Sequence, residues 1–405
     1  MSLRKLQAVF ARGGTSKAVL FHRRDLPAER DEWAPIFLAA LGSPDPNGRQ
    51  LDGMGGGTSS LSKVCVIGPP TRADADVDYT FAQVGADRPT VDYGANCGNM
   101  SAAIGPFAVD EQLVQVARDG EVTVRIHNTN TGKLIHSTFQ VSGGQARVDG
   151  PLSIDGVGGS GAPIRLEFRD LAGARTGRLL PAGGAVHELK HPGGGAQSES
   201  QRPGSGATHV FHHPGGGTIR ASMVDAGNPC VFVEAQALGL DGTEPPDRIE
   251  SQPELMHALE SIRRQASVAM GLAPDEEHAA ASRAVPFIGM VARVLPWVSL
   301  SGRRIGVEEA DLSVRMLSSG NAHRAIPITS ALCVAVACRT PGTLPSELCR
   351  SSAGPLRIGH PSGVIVVESE PDPVSGEVRH ASVYRTARRL FQGEILYSLG
   401  VTPGL

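Results

Sequence analysis

The chain has 405 residues, 50 of them glycine and 29 proline, with 40 % hydrophobic and 20 % charged residues. The glycines lack the every-third-residue period of collagen, and this apolar share supports a packed core. Fibrous and disordered classes are excluded, and the length suits two domains. A net charge of −3 without a long basic run argues against nucleic acid and anionic membrane as partners.

The N-terminus, Met1-Ser2-Leu3-Arg4-Lys5, has no apolar stretch of the signal-peptide kind. The longest apolar run, 325–338, is too short to span a bilayer and is broken by Pro327 and Ser330. Both points give the expectation of a soluble, cytoplasmic protein with no membrane partner. Six cysteines, at 65, 97, 230, 333, 338 and 349, form no Cys-x-x-Cys pair and read as reduced, mostly core thiols.

Residues 5–21 read as a strand broken at Gly13-Gly14. Trp33, Ile36, Phe37 and Ala40 share one face of a helix over 29–41. A loop with Gly53, Gly55, Gly56 and Gly57 precedes strands at 62–67 and 79–84. The spacing then predicts a helix over 97–109 with a break at Gly105-Pro106. Val122, Val124 and Ile126 alternate as in a half-buried strand. Residues 192–217, rich in glycine, serine and proline, read as an interdomain segment or long surface loop. A strand over 218–233 is interrupted at Gly227-Asn228-Pro229. Leu255, Leu259, Ile262 and Ala266 mark an amphipathic helix. A helix over 321–337 with Pro327 inside it, then strands at 364–368 and 381–385, complete the order.

The two halves resemble each other. Gly13-Gly14 and Gly227 interrupt the first strand of each. Cys97-Gly98-Asn99 and Ser319-Gly320-Asn321 each read as opening a helix, with Pro106 and Pro327 at nearly equal offsets. Three matches in one order point to a duplicated domain, and two such domains make a cleft in which ligands commonly bind.

A cysteine at a helix start sits at the positive end of the macrodipole, which favours the thiolate. Cys97 thus reads as a proton carrier or nucleophile, or else as an inert buried thiol. The N–H groups of Gly98 and Asn99 suit a carboxylate. Lys63 opens an apolar strand, where lost solvation would make it a base; an exposed strand end is the other reading. Arg12, Thr15, Ser16, Ser60 and Ser62 are cationic or hydroxyl groups beside glycine turns and suit anionic oxygens, although for Arg12 surface charge beside a bend is the simpler reading of the residues alone. His323, close behind Ser319-Gly320-Asn321, would face Cys97 across the cleft or serve as a core histidine. His209, His212 and His213 lack a companion set of ligands, so no metal is expected.

These same residues carry a resemblance. Arg12-Gly13-Gly14-Thr15-Ser16-Lys17, Thr58-Ser59-Ser60-Leu61-Ser62-Lys63, Asn96-Cys97-Gly98-Asn99-Met100-Ser101 and Gly359-His360-Pro361-Ser362-Gly363 are similar to the PrpF family. The resemblance implies an α+β, diaminopimelate-epimerase-like fold of two pseudo-symmetric domains, each a mixed sheet curled around a central helix. The first would comprise 1–185 plus about 380–405, the second 186–379, with the active site between them. It implies a cofactor- and metal-independent isomerase of small unsaturated di- or tricarboxylates, acting by allylic proton transfer of the 2-methylaconitate type. A 4-oxalomesaconate-type tautomerase or a non-catalytic accessory to an aconitase-like hydratase are the alternatives. Lys63 and Cys97 match the catalytic pair. Arg12, Thr15, Ser16, Ser60, Ser62, Gly98, Asn99, Ser319, Gly320, Asn321 and His323 are the substrate-binding candidates. Ser319 stands where amino-acid epimerases and racemases of this fold carry a second cysteine, which argues against that chemistry. Relatives often form dimers, which allows a homodimer here.

Overall fold

The computed structural model describes residues 3–94, 96–191, 198–201, 208–211, 217–369, 378 and 380–398. The chain divides into two compact units: Met1–Asp170, Pro327–Thr329 and His380–Leu405 form one, Leu171–Ile326 and Ser330–Arg379 the other. The first crossing falls at residue 170, not at the expected 185. Leu171 and Gly173 already hydrogen-bond into the second unit, Leu171 O accepting from Gly227 N (3.0 Å) and Gly173 N donating to Asp225 O (2.8 Å). Much of the glycine-rich segment, His212 and His213 included, lies outside the described residues.

In the first unit a mixed sheet runs Ala387–Tyr397, Arg4–Gly13, Ser16–His22, Lys63–Gly68, Val77–Val84, Gly120–Asn128, Lys133–Ser142, Ile164–Arg169, His380–Arg385. Two neighbouring pairs are parallel, Ser16–His22 with Lys63–Gly68 and Val77–Val84 with Gly120–Asn128. The helix Gly98–Asp110 packs against strands from both ends of this order, so the sheet curls around it. That helix is nearly all buried, and its glycine, alanine and serine content lets the strands approach closely.

The helix is continuous through Pro106, contrary to the expected break. An interior proline removes one backbone hydrogen bond and costs about 3 kcal/mol; burial of Met100, Ile104 and Phe107 inside the sheet offsets it. The second helix, Trp33–Leu41, covers the opposite face of the sheet. Trp33, Ile36 and Phe37 pack there on Val19, Phe21, Val64, Val66, Ala82 and Val84.

In the second unit the strands run His187–His191, Gly217–Ala226, Asn228–Glu234, Phe287–Ala292, Leu312–Ser318, Leu356–His360, Gly363–Ser369, again mixed. Leu255, Leu259, Ile262 and Ala266 of the helix Pro253–Ala269 cover Met223, Val231, Val233 and Met290. The apolar run predicted from sequence is a buried helix, Ile328–Cys338. Among the described residues no helix is long and apolar enough to cross a membrane.

Ser319-Gly320-Asn321 does not open a helix. Leu312–Ser318 pairs with Asn321–Ala322, and Ser319 (φ 50°) and Gly320 (φ 82°) form the two-residue turn between them. Positive φ at both central positions is the turn that matches strand twist. The helix begins only after Pro327, whose missing N–H fits a helix start.

Asn130 fixes the strand that faces Lys63–Gly68. Its amide accepts from Phe81 N–H and donates to the Phe81 carbonyl, both at 2.8 Å, and also donates to Tyr93 O at 3.0 Å. Removing it leaves partly buried backbone groups unpaired. Asn130→Ala is therefore expected to lower stability by about 2–4 kcal/mol, measured by chemical denaturation.

Candidate active site

Strand alternation decides what Lys63 meets. Val64 and Val66 point to the Trp33–Leu41 helix, so Lys63 and Cys65 point the other way, toward Gly98–Asp110. Lys63 is 7 % exposed. Its Nζ donates to Gln83 Oε1 at 2.7 Å and lies 5.0 Å from the centre of the Phe81 ring. Gln83 is its direct cross-strand partner. Burial pushes the Lys63 ammonium below the ordinary lysine range, while Cys97 and Cys65 nearby pull the other way. The expectation of a desolvated lysine matches this geometry.

Cys97 is the N-cap residue of the helix Gly98–Asp110 and is buried. Its carbonyl accepts from Ser101 N and Ser101 Oγ, each at 3.2 Å, and from Tyr79 OH at 3.4 Å. Cys65 Sγ in turn donates to the Tyr79 oxygen at 3.8 Å. Burial pushes the Tyr79 hydroxyl and the Cys65 thiol up, which keeps both uncharged beneath Lys63 and Cys97.

The first hairpin closes on this helix start. Gly13 pairs with Ser16, leaving Gly14-Thr15 as the turn, with Gly14 at φ 51°. A Cβ on Gly13 would stand 2.6 Å from the Asn99 carbonyl oxygen, so only glycine permits the approach. Asn99 Oδ1 accepts from Thr15 N at 3.3 Å. Thr15, Ser16, Cys97, Gly98 and Asn99 are thus brought together, and Ser16 shares the helix-facing side with Gly13.

Arg12 is placed differently. Alternation turns it away from the helix, and Nη1 donates to the carbonyls of Gly14 and Thr386, both at 2.9 Å. It braces the turn. Ser62 is likewise a brace: its hydroxyl donates to Gln50 Oε1 at 2.5 Å and is fully buried. Ser60 Oγ faces Thr58 Oγ1 at 3.2 Å, and its carbonyl accepts from Lys17 N at 3.0 Å. Gln83 Nε2 donates to the carbonyls of Ser59 (3.1 Å) and Ser62 (2.9 Å), tying this loop to the strand that faces Lys63. Gln50 and Gln83 escaped the motif reading, although a glutamine in the buried register of Tyr79 and Phe81 was a visible signal.

In the second unit, His323 Nε2 faces Ser318 Oγ at 2.7 Å, and its ring stacks on Phe287 with centroids 6.1 Å apart. Ser319 and Gly320 lie against Arg283, with Ser319 N donating to its carbonyl at 3.3 Å. Asn321 is exposed. Among the described residues no three His, Cys, Asp or Glu side chains gather as a metal site requires.

The PrpF protein family model matches residues 3–200 and 199–398. The chain is 40 % identical over 395 residues to the 3-methylitaconate isomerase of Eubacterium barkeri, covering 96 % of this chain and 97 % of that protein. It is 37 % identical over 402 residues to a 2-methyl-aconitate isomerase of Cupriavidus necator, with 96 % of each covered. It is 34 % identical over 398 residues to a 4-oxalomesaconate tautomerase of Pseudomonas putida, covering 98 % and 97 %. The crystal structure of a methylitaconate-delta-isomerase is similar at a TM-score of 0.74 and 38 % identity, over 100 % of this chain and 99 % of that one. A hydroxyproline epimerase from Agrobacterium vitis, at 11 % identity and a TM-score of 0.54 over 97 % and 93 %, shares the fold, which is diaminopimelate-epimerase-like.

The buried lysine has a pH signature separate from turnover. Its folded-state pKa is lowered, so between that value and the ordinary lysine range the unfolded chain binds the extra proton and stability rises with pH. Below that window the charge is buried at a cost. Lys63→Met should therefore stabilise the protein at neutral pH by about 1–4 kcal/mol, with the gain shrinking as pH rises toward 10.5, as read from denaturation curves.

Proposed function

The chain belongs to the PrpF family and is an isomerase, and from that premise we propose that it moves an allylic proton on small unsaturated di- or tricarboxylic acids. The observation that carries this reading is Lys63, buried against Gln83 and Phe81, within electrostatic reach of Cys97 at a helix N-terminus. As a neutral amine it gives one N–H to Gln83 Oε1 and keeps its lone pair for a C–H made acidic by conjugation. The amine takes that proton and becomes ammonium, and the substrate becomes a dienolate.

Return of the proton to the far carbon shifts the double bond. Return to the first carbon after rotation interconverts cis and trans forms. Cys97 acts as the partner acid, or holds the developing charge together with the Gly98 and Asn99 N–H groups. Thr15 and Ser16, beside the same helix start, orient a carboxylate, which supports the rate by positioning. The reading carries the expectation of a cytoplasmic enzyme and of a homodimer.

The test is turnover of 3-methylitaconate, 2-methylaconitate and 4-oxalomesaconate in deuterated water, followed by proton NMR. Deuterium should enter the allylic positions of at least one acid. Lys63→Ala should reduce kcat/KM by about 10²–10⁴-fold. The acid limb of the wild-type pH profile should fall below the ordinary lysine range. Normal turnover by Lys63→Ala, or no turnover of any of these acids, would refute the proposal.

A further inference from the structure

Arg385 ends the strand His380–Arg385, at the far end of the sequence from the Gly14 turn. Its cross-strand partner is Ile164, and the register pairs Val383 with Leu166 and Ala381 with Phe168, all buried. Arg385 therefore shares the face turned toward the helix Gly98–Asp110, and Tyr384 takes the exposed face. The guanidinium belongs to a residue 8 % exposed. Nη1 donates to the Tyr384 carbonyl at 2.9 Å. Nε is buried with no partner, and no salt bridge closes onto the group among the described residues.

The charge of Asp155 lies within electrostatic reach but leaves that Nε unsatisfied, and a buried guanidinium with an unpartnered donor is costly, which fits an anion that comes and goes. Its position fits one. A Cβ on Gly14 would meet both Asn99 Oδ1 (2.2 Å) and Arg385 Cδ (3.3 Å), so the arginine stem and the second residue of the Cys97 helix flank one turn. The first-turn N–H groups of that helix add positive potential there.

We propose that Arg385 receives a substrate carboxylate beside the Cys97 helix, the part that the sequence motif suggested for Arg12. This rests on reading the Lys63–Cys97 region as the reaction site. It makes Arg385 a determinant of acid specificity that acts with the Gly14–Thr15 turn.

Tricarballylate, a saturated tricarboxylate that cannot be isomerised, separates binding from chemistry. Titration calorimetry on the full chain should show Arg385→Met weakening it about 10–100-fold, and Arg385→Lys less. The melting temperature of Arg385→Met should hold or rise, because a buried guanidinium with an unpartnered Nε is gone. With a turned-over acid, KM should rise more than kcat falls. Wild-type affinity in Arg385→Met, no binding by the wild type, or a lowered melting temperature in both variants with affinity kept in Arg385→Lys would overturn the inference. If no acid is isomerised yet tricarballylate binds through Arg385, the isomerase reading fails and this inference stands. If isomerisation proceeds with KM unchanged in Arg385→Met, this inference alone fails.

Discussion

A lysine held inside the protein by neutral partners is the constraint around which the first unit is arranged. Desolvating an ammonium costs several kcal/mol, and the fold meets Lys63 with a glutamine oxygen and an aromatic face in place of a carboxylate. That choice has a chemical consequence. A carboxylate at position 83 would hold the ammonium form and raise its affinity for the proton. The amide positions Nζ without fixing its charge, as the proposed role of Lys63 as a base requires.

The same economy of charge runs through the surroundings. Gln50 accepts from Gly57 N and Ser62 Oγ and donates to Ser43 Oγ. Gln83 binds two loop carbonyls, Asn99 seats the hairpin turn, and Asn130 completes the backbone pairing of Phe81. Amides both donate and accept, so they can satisfy loop backbone in the interior without adding a net charge beside Lys63 and Cys97. Tyr79 and Cys65 fill the remaining space as neutral groups. Arg12 is engaged with backbone carbonyls on one face, and Arg385 keeps a buried, unpartnered Nε on the other.

Local patterning carried much of the architecture. The alternation around residues 79–84 and 122–126, the amphipathic helix at 255–266 and the glycine-interrupted first strands all correspond to observed elements. The strand Ala387–Tyr397 and the pair Lys133–Ser142 with Ile164–Arg169 were not legible. Their mixed residues become strands through the neighbours they pair with. The Ser319-Gly320-Asn321 motif misled because likeness to Cys97-Gly98-Asn99 was read as likeness of conformation, and positive φ at two successive residues makes a hairpin turn there.

By itself the sequence determined a duplicated organisation rich in turn glycines, with Lys63 before an apolar strand and Cys97 before a small-residue helix, and its resemblance to a known family implied the α+β class. The first of these follow from composition, period and spacing, which are properties of nearby residues. Only the tertiary structure decided which groups stand around them. It turned Arg12 outward, made Ser62 a brace, set Gln83 on Lys63 and brought Arg385 from the far end of the chain to the Gly14 turn. Those assignments depend on strand register and on which face each alternating side chain takes, and register is fixed by pairing between segments distant in sequence.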